Sequence, residues 1–198
     1  MIQDGCVAFD RTAYDAIIFD FFGVICSEIA PIWLARYLPR EPAVSVKSEV
    51  VHSVDRGEIS QDQMFEKLGR IVGVSPDKAL REWRDLVRID PQMVSLLEVA
   101  ARRKRLALLT NSAGPFVREI LDAHDFGRFF QVIVVSSEVR LAKPSPDIYR
   151  LLLQRLDMAP ARAVLVDDTA SNLCGAAVVG MPAFLFTSSA DCRERLGF

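Results

Sequence analysis

The stretch AIIFDFFGVICSE, residues 16–28, places a single carboxyl group, Asp20, within a run of apolar side chains. Continuous apolarity, rather than alternation, is typical of a strand covered on both faces in a parallel sheet. We therefore predict a buried strand over residues 16–22 with Asp20 near its carboxyl end. In doubly wound sheets this end is where ligands bind, so Asp20 is the first candidate for chemistry.

Further along the chain, four more apolar runs alternate with segments of helical periodicity. One such segment repeats apolar side chains at Ile148, Leu152 and Leu156 and follows a Ser-Pro-Asp sequence typical of a helix start. This alternation predicts an α/β fold, a Rossmann-like doubly wound parallel sheet with right-handed crossovers. The later strands are predicted at residues 106–110, 132–136, 163–167 and 182–186.

The long segment between the first two predicted strands shows helical signals and no convincing strand pattern. Ser60 with Gln63 fits a capping box, and Pro76 fits the first position of a helix. An insertion at this point would project over the carboxyl edge of the sheet as a lid. We therefore predict a core of residues 15–26 and 90–198 and a small all-helical cap at 27–89. Helices are predicted at residues 31–38, 44–54 and 75–86, and starting near 60 and 90.

The composition suits one compact domain with such an insertion. The 198 residues are 51% hydrophobic and 25% charged, which is enough apolar material for a sizeable core. A net charge of −2 gives no electrostatic basis for binding nucleic acid, which depends on clustered cations. We expect a monomer or homodimer without a nucleic-acid partner.

The cysteines and the amino-terminal sequence bear on the cellular compartment in which the protein is expected. Cys6, Cys26, Cys174 and Cys192 show neither paired nor metal-like spacing, as expected of reduced thiols. The first residues, MIQDGCVAFD, lack the basic and apolar regions of a signal peptide. No apolar run approaches the roughly 18 residues of a membrane-spanning helix. We therefore expect a cytoplasmic protein with no membrane span.

Polar residues stand at or just beyond the carboxyl ends of four predicted strands, which a parallel sheet brings to one edge. Asp20 and Asp168 could share Mg²⁺ through carboxylate oxygens, the ligands this ion prefers. Thr110 and the amide of Asn111 could hold phosphoryl oxygens, and Lys143 adds a positive charge. The set suits phosphoryl transfer in which Asp20 attacks phosphorus and forms an aspartyl phosphate.

Four ordered segments resemble the motifs of the haloacid dehalogenase (HAD) superfamily: IIFDFFGVI, LALLTNS, EVRLAKPSPDIY and VLVDDTASNLCGAAVVGM. Within it the chain looks most like the small phosphatases with a C1-type cap that are related to sugar-1-phosphate phosphatases and to the amino-terminal domain of soluble epoxide hydrolase. The sequence RGEIS, residues 56–60, resembles a cap segment of that branch. The resemblance implies an Mg²⁺-dependent phosphoric monoester hydrolase acting on a small phosphorylated metabolite, such as a sugar phosphate.

The resemblance also implies a role for each matching residue. Asp20 would be the nucleophile and an Mg²⁺ ligand, and the backbone carbonyl of Phe22 would be a second ligand. Asp168 would bind the same ion. Thr110 and Lys143 would bind the phosphoryl group.

Three further residues are assigned around this set. Asp167 would support the metal ligands without coordinating the ion. Asn172 would either orient the loop or simply face the interior of its helix. Arg56, in the cap, is predicted to contact the substrate.

Phe22 departs from the pattern of the superfamily. Most of its phosphatases carry an acid two residues after the nucleophile, which protonates the leaving group and later activates water. Phenylalanine has no proton to give, and general acid–base catalysis is typically worth about 10²- to 10⁴-fold. Related phosphatases often have glycine there, so we expect slow turnover rather than none. By position, Glu28, Asp55, Arg56 and Glu58 are candidates to replace the acid, although each also fits a solvated cap charge.

Phe22 also leaves two other functions open. An aromatic residue at this position resembles the 2-haloacid dehalogenases, which use tyrosine. The Asp167–Asp168 pair argues against that function, because carbon–halogen displacement needs a free carboxylate and a bound cation would occupy Asp20. The other alternative is a weakened or non-enzymatic relative that binds phosphate or a partner without turnover.

Overall fold

The computed structural model describes residues 14–198, which are built around a five-stranded parallel sheet. Its strands are β1 (Ala16–Phe19), β2 (Arg105–Thr110), β3 (Val132–Val135), β4 (Ala163–Asp167) and β5 (Ala183–Leu185). Their order is β3-β2-β1-β4-β5, so the chain winds outward in both directions from β1. This is the predicted doubly wound sheet. Cys6 lies outside the described residues.

Successive residues of β1 pack into two different cores, one on each face of the sheet. Ile17 and Phe19 belong to one core, and Ala16 and Ile18 belong to the other. All four side chains are fully buried. The prediction that this strand is covered on both faces is therefore confirmed.

The prediction that the first strand extends to Phe22 is wrong, because the chain turns directly after Asp20. The amide nitrogens of Ile25 and Cys26 both donate to the carbonyl of Phe21, each at 2.9 Å. The third and fifth strands are likewise one or two residues shorter than predicted.

Between β1 and β2 the chain first forms a helical layer. Residues 27–89 are called the cap segment. Ser60 and Gln63 make the predicted capping box, with hydrogen bonds of 3.2 and 2.9 Å. The elements of the cap segment are α1 (Ala30–Leu34), α2 (Arg40–Val46), a π-helical turn (Lys47–Val51), α3 (His52–Asp55), α4 (Gln61–Val72) and α5 (Pro76–Arg84). The stretch from α2 to α3 is continuous, so its helix begins earlier than predicted.

The remaining helices cover the two faces of the sheet. Those facing the core of Ile17 include α6, α7 and α11, whereas α9 and α10 face the core of Ile18. None of the helices in residues 14–198 is long and apolar enough to cross a membrane. The helices are α6 (Pro91–Ala100), α7 (Gly114–Ala123), α8 (Ser136–Val139), α9 (Pro146–Leu156), α10 (Ala170–Val178) and α11 (Ser189–Leu196), with 3-10 turns at Phe126–Arg128 and Pro160–Arg162.

The two connections between the cap segment and the sheet run side by side. Ser27 Oγ donates to the carbonyl of Leu86 at 2.7 Å and accepts from the amide nitrogen of Arg88 at 3.0 Å. The amide nitrogen of Ser27 in turn donates to the carbonyl of Arg88 at 2.9 Å. These bonds fix the place where the cap segment leaves and rejoins the core.

Candidate active site

Charged residues from three separate motifs meet at the carboxyl ends of the strands. Asp20 follows β1, Asp167 ends β4, and Lys143 lies in the loop before α9. The Lys143 ammonium nitrogen is 2.9 Å from Asp20 Oδ1 and 2.6 Å from Asp167 Oδ2. All three side chains are buried, so the positive charge is shared by two carboxylates in a largely dry environment.

The two carboxylate oxygens of Asp20 have different surroundings. Oδ1 contacts Lys143 and also accepts a 2.7 Å hydrogen bond from the amide nitrogen of Phe21. Within residues 14–198, no hydrogen bond or ion pair reaches Oδ2. Asp20 is therefore held in place through one oxygen while the other stays open to a ligand.

Asp167 is fixed by the start of α10. The side-chain nitrogen of Asn172 donates to both oxygens of Asp167, at 2.9 and 3.1 Å. The amide nitrogen of Thr169 adds a third hydrogen bond of 2.9 Å. The side chain of Asn172 therefore contacts the carboxylate at the end of β4, and its role in catalysis stays a prediction.

Asp168 completes a cluster of carboxylates. One oxygen each from Asp20, Asp167 and Asp168 lies within 4.8 Å of the other two. Asp168 packs so closely on Gly23 that a Cβ there would stand 2.0 Å from Asp168 Oδ2, and Gly23 has a positive φ of 83°. Burial, with help from Asp167, raises the pKa of Asp168. Carboxylates this close repel one another unless a cation joins them, and an all-oxygen donor set suits Mg²⁺.

The end of β2 contributes the hydroxyl of Thr110 and the side-chain amide of Asn111. Thr110 is fully buried, and its Oγ1 has no hydrogen-bond partner in the described part of the chain. An unpaired buried hydroxyl is costly, which indicates that a ligand completes this site. The side chain of Asn111 instead binds the backbone of Lys143 through two 2.9 Å hydrogen bonds. Any phosphate contact by Asn111 is therefore left to its backbone N–H.

Burial controls the protonation of the cluster. It raises the pKa of Asp20 well above the ordinary value of 3.8, and Asp167 adds to the rise while Lys143 opposes it. Burial alone would lower the pKa of Lys143, but the two carboxylates outweigh that effect and leave the pKa raised. Lys143 therefore stays positively charged at neutral pH.

A cavity of about 710 Å³ adjoins the cluster and extends along the cap segment. Its volume lies within the usual range for small-molecule sites. The rings of Phe22 and Phe116 stack with centroids 6.2 Å apart, and Trp83 meets Phe116 edge-on at 5.8 Å. Besides these three aromatic residues, the apolar wall includes Val51, Val54 and Met64.

Charged side chains of the cap segment also line this cavity. Arg56 is among them, but it is exposed and paired with Glu58 at 2.6 Å, so its substrate contact stays a prediction. Glu28 and Asp55 line the cavity as well, whereas Glu58 does not. Lys47 was not identified from the sequence, because a single lysine in a helix carries no motif.

The comparisons with known proteins agree with this arrangement. A family model described as haloacid dehalogenase-like hydrolase matches residues 14–180. The sesquiterpene phosphatase astK of Aspergillus oryzae is 28% identical over 188 residues, covering 92% of this chain and 95% of that protein. The phosphorylated carbohydrates phosphatase of Thermotoga maritima is 32% identical over 102 residues, which are 51% of this chain and 47% of that protein.

Solved structures show the same fold. The HAD family enzyme BT-2542 of Bacteroides thetaiotaomicron has a TM-score of 0.77 at 16% identity, covering 92% of this chain and 98% of that chain. A complex of BT-2542 with magnesium and inorganic phosphate has a TM-score of 0.72 at 16% identity, covering 88% and 94%. The narrower phosphatase branch stays a prediction. The match over residues 14–180, on a core with this strand order, shows that the chain belongs to the haloacid dehalogenase-like hydrolase family.

Proposed function

We propose that this protein is an Mg²⁺-dependent phosphatase that transfers the phosphoryl group of a small phosphate monoester to Asp20 and then to water. The observation that carries the proposal is the Lys143 ammonium between Asp20 and Asp167, next to the carboxylate of Asp168. The relatives named as phosphatases and the phosphate complex of BT-2542 support it.

The residues of the cluster fit an Mg²⁺ ion. Asp20 and Asp168 would hold it through carboxylate oxygens, together with the backbone carbonyl of Phe22. The ion would supply charge neutralisation for the phosphoryl oxygens. Asn172 and Lys143 keep Asp167 oriented. This carboxylate lies within the cluster, but its oxygens already have partners and it would support the ligands of the ion.

The reaction divides into two displacements at phosphorus. Asp20 attacks the phosphorus atom, the bond from phosphorus to the substrate oxygen breaks, and that oxygen takes a proton as the alcohol leaves. Water then attacks the phosphorus of the aspartyl phosphate, releasing inorganic phosphate and restoring the Asp20 carboxylate. Lys143 and the hydroxyl of Thr110 would stabilise the phosphoryl oxygens throughout.

The lining of the cavity favours an apolar alcohol over a sugar. Phe22 and Phe116 offer ring surfaces without hydrogen-bonding groups, and Trp83 adds one buried N–H that has no partner within residues 14–198. The similarity to astK, which covers nearly the whole of both chains, favours a sesquiterpenyl phosphate. We therefore propose a terpenyl or similar hydrocarbon phosphate as substrate, with sugar phosphates as the alternative.

Replacement of Asp20 by asparagine tests the reaction. Asp20→Asn keeps the shape of the side chain but removes the nucleophile, so phosphate release from farnesyl phosphate in Mg²⁺ should fall by about 10³-fold or more. Asp85→Asn, at an exposed acid of the cap segment that does not line the cavity, is the control. Phosphate release that needs neither Asp20 nor Mg²⁺ would overturn the proposal.

A series of primary alkyl phosphates of increasing length tests the substrate class. Burial of each methylene is worth about 0.8 kcal/mol, so kcat/KM should rise by up to roughly fourfold per carbon until the cavity is filled. Val44 lines the cavity although it is 63% exposed, and Val44→Ser should weaken this dependence. Ile71→Ser, at a 45% exposed residue away from the cavity, is the control. A preference for glucose 1-phosphate would contradict the apolar assignment.

The dehalogenase alternative has its own test. Chloride release from 2-chloropropionate would reveal carbon–halogen displacement by Asp20. We expect none, because Lys143 and the neighbouring carboxylates prepare Asp20 for a phosphoryl group and a cation.

A further inference from the structure

The proposed reaction needs proton transfers that the residue at position 22 cannot make. The phenyl ring of Phe22 is part of the cavity wall and stacks on Phe116. An alkyl alcohol leaves poorly without a proton, and the attack of water on the aspartyl phosphate is faster with a base. Another group in the same cavity has to exchange these protons for efficient turnover.

Few described side chains that line the cavity can change charge near neutral pH. Lys47 and Arg56 are basic side chains and are not candidates for the acid. His52 is exposed on the cap segment, and burial of part of its ring lowers its pKa. Apart from the catalytic cluster itself, this leaves two carboxyl groups, Glu28 and Asp55.

Asp55 is the more deeply buried of the two. It is 8% exposed, whereas Glu28 is only half-buried. Within residues 14–198 the Asp55 carboxyl makes no hydrogen bond and no ion pair. A buried carboxyl without a partner is unfavourable for folding, which favours a role in function over a role in stability.

The surroundings of Asp55 place it in the electrostatic field of the cluster. The charges that act on it come from three parts of the chain: Lys47 and Arg56 on its own helical stretch, Glu28 after β1, and Lys143 before α9. Lys143 is itself 2.9 Å from Asp20. Asp55 lines the same cavity as Asp20 and Lys143 and is contributed by the cap segment.

We propose that Asp55 is the proton-transfer residue of this phosphatase, protonating the leaving alcohol and then accepting the proton of the attacking water. The inference rests on the proposed function. The proton balance closes: Asp55 gives its proton to the alcohol oxygen in the first displacement and regains one from water in the second.

The protonation of Asp55 suits both steps. Burial raises its pKa from 3.8 to about 7, although Lys47, Lys143 and Arg56 oppose the rise. A group with a pKa near the working pH is present as acid and as base in comparable amounts. An ordinary surface aspartate would be almost wholly ionised and could not serve as the acid.

Asp55→Asn should separate the two displacements. On an alkyl phosphate, kcat should fall about 10²-fold with a smaller change in KM, and the dependence of kcat on pH between 6 and 8 should disappear. On p-nitrophenyl phosphate, whose leaving group needs no proton, the first turnover should remain as a burst followed by slow release of phosphate. Asp85→Asn is the matched control at an exposed acid of the cap segment.

Two further variants sharpen the assignment. Phe22→Asp in the Asp55→Asn background places a carboxyl two residues after Asp20 and should restore much of the lost kcat. Glu28→Gln should keep the pH dependence of the wild type. If Asp55→Asn is unchanged and Glu28→Gln shows the loss, the inference is wrong while the proposed phosphatase function stands.

A measurement without substrate keeps the inference testable even if turnover is very slow. The carboxyl carbon of Asp55, followed by ¹³C NMR and assigned with Asp55→Asn, should titrate with a midpoint near 7. A midpoint near the ordinary 3.8 would overturn the inference. Failure of the wild type to release phosphate in the Asp20-dependent assay would instead overturn the proposed function.

Discussion

At the scale of single residues, position 22 separates this protein from most phosphatases that it resembles. The Phe22 ring lies 5.0 Å from that of Phe21 and stacks on Phe116 at 6.2 Å. The position therefore serves the apolar wall of the cavity rather than proton transfer. Phe22 stands where an acid is expected, and its ring adds apolar surface to the cavity, which suits a hydrocarbon group.

The burial of Asp55 predicts a pH-dependent loss of stability. Because its pKa is raised from 3.8 to about 7 on folding, the folded protein binds this proton more tightly than the unfolded chain does. The contribution of Asp55 to stability should therefore be fully present below the unfolded pKa and be lost as the pH rises through 7, by at most about 4 kcal/mol.

Asp55→Asn removes this titration and should unfold at a higher temperature than the wild type. The difference should be larger at pH 8 than at pH 5, and thermal unfolding monitored by circular dichroism measures it. Asp85→Asn should stay within about 0.5 kcal/mol of the wild type at both pH values, as surface substitutions usually do. An equal effect of Asp55→Asn at both pH values would contradict a buried, titrating carboxyl.

Single residues also show where sequence-based prediction ends. Asp20 and Lys143 could be predicted to meet, because parallel strands deliver their carboxyl ends to one edge. The two hydrogen bonds between the Asn111 side chain and the backbone of Lys143 could not be predicted. The sequence does not show in which direction an asparagine side chain at the end of a strand points. The open oxygen of Asp20 and the unpaired hydroxyl of Thr110 are likewise visible only in three dimensions.

At the scale of elements, α10 determines where the loop of Lys143 can lie. A Cβ at Gly175 would stand 2.2 Å from the carbonyl oxygen of Pro144 and 2.8 Å from the ring of Tyr149. Gly175→Ala should therefore displace the loop and lower both activity and stability, the latter by about 1–3 kcal/mol as in other overpacked sites. Urea unfolding and phosphatase assays measure the two effects.

Gly127→Ala, in the 3-10 turn Phe126–Arg128, is the matched control for Gly175→Ala. A Cβ at Gly127 would meet no atom within 4 Å, so the same chemical change should leave activity unchanged. If both variants behave alike, the close packing of α10 on the Lys143 loop is not what positions the site.

Elements differ in how well their limits could be predicted. The start of α4 was predictable because the capping box at Ser60 is a local signal. The end of β1 was not, since Phe21 and Phe22 have strand-like character and only the tertiary turn shows where pairing stops. The wall formed by Trp83 and Phe116 joins α5 to α7, and from sequence these residues are indistinguishable from ordinary core positions.

At the scale of the whole molecule, the contacts between the cap segment and the core include aromatic packing of Trp83 on Phe116 and, within residues 14–198, one exposed ion pair. The Arg84–Glu119 pair, at 2.8 Å, has both side chains nearly half exposed, so it contributes little. The hydrogen bonds of Ser27 to Leu86 and Arg88 join the two ends of the cap segment where they meet the core, and the bond to Leu86 is partly buried. They are the contacts at which this junction can be tested.

Ser27→Ala should loosen this attachment. It leaves the carbonyl of Leu86 and the amide of Arg88 without their partner, which costs about 1–2 kcal/mol. Ser53→Ala, which removes an exposed bond to the carbonyl of Glu49 and a long exposed bond of 3.4 Å from Arg56, is the control and should be nearly neutral. Equal unfolding midpoints for the two variants in urea would show that the junction is not held by Ser27.

The adjacency of Ser27 and Arg88 has a consequence for how such a protein can be altered. Because the insertion leaves and returns within one hydrogen bond, a linker of a few residues could bridge the gap with little loop-closure entropy. The cap segment could therefore be replaced at this junction, and the exchange would change the cavity wall and remove Asp55 while Asp20, Asp168 and Lys143 stay in the core.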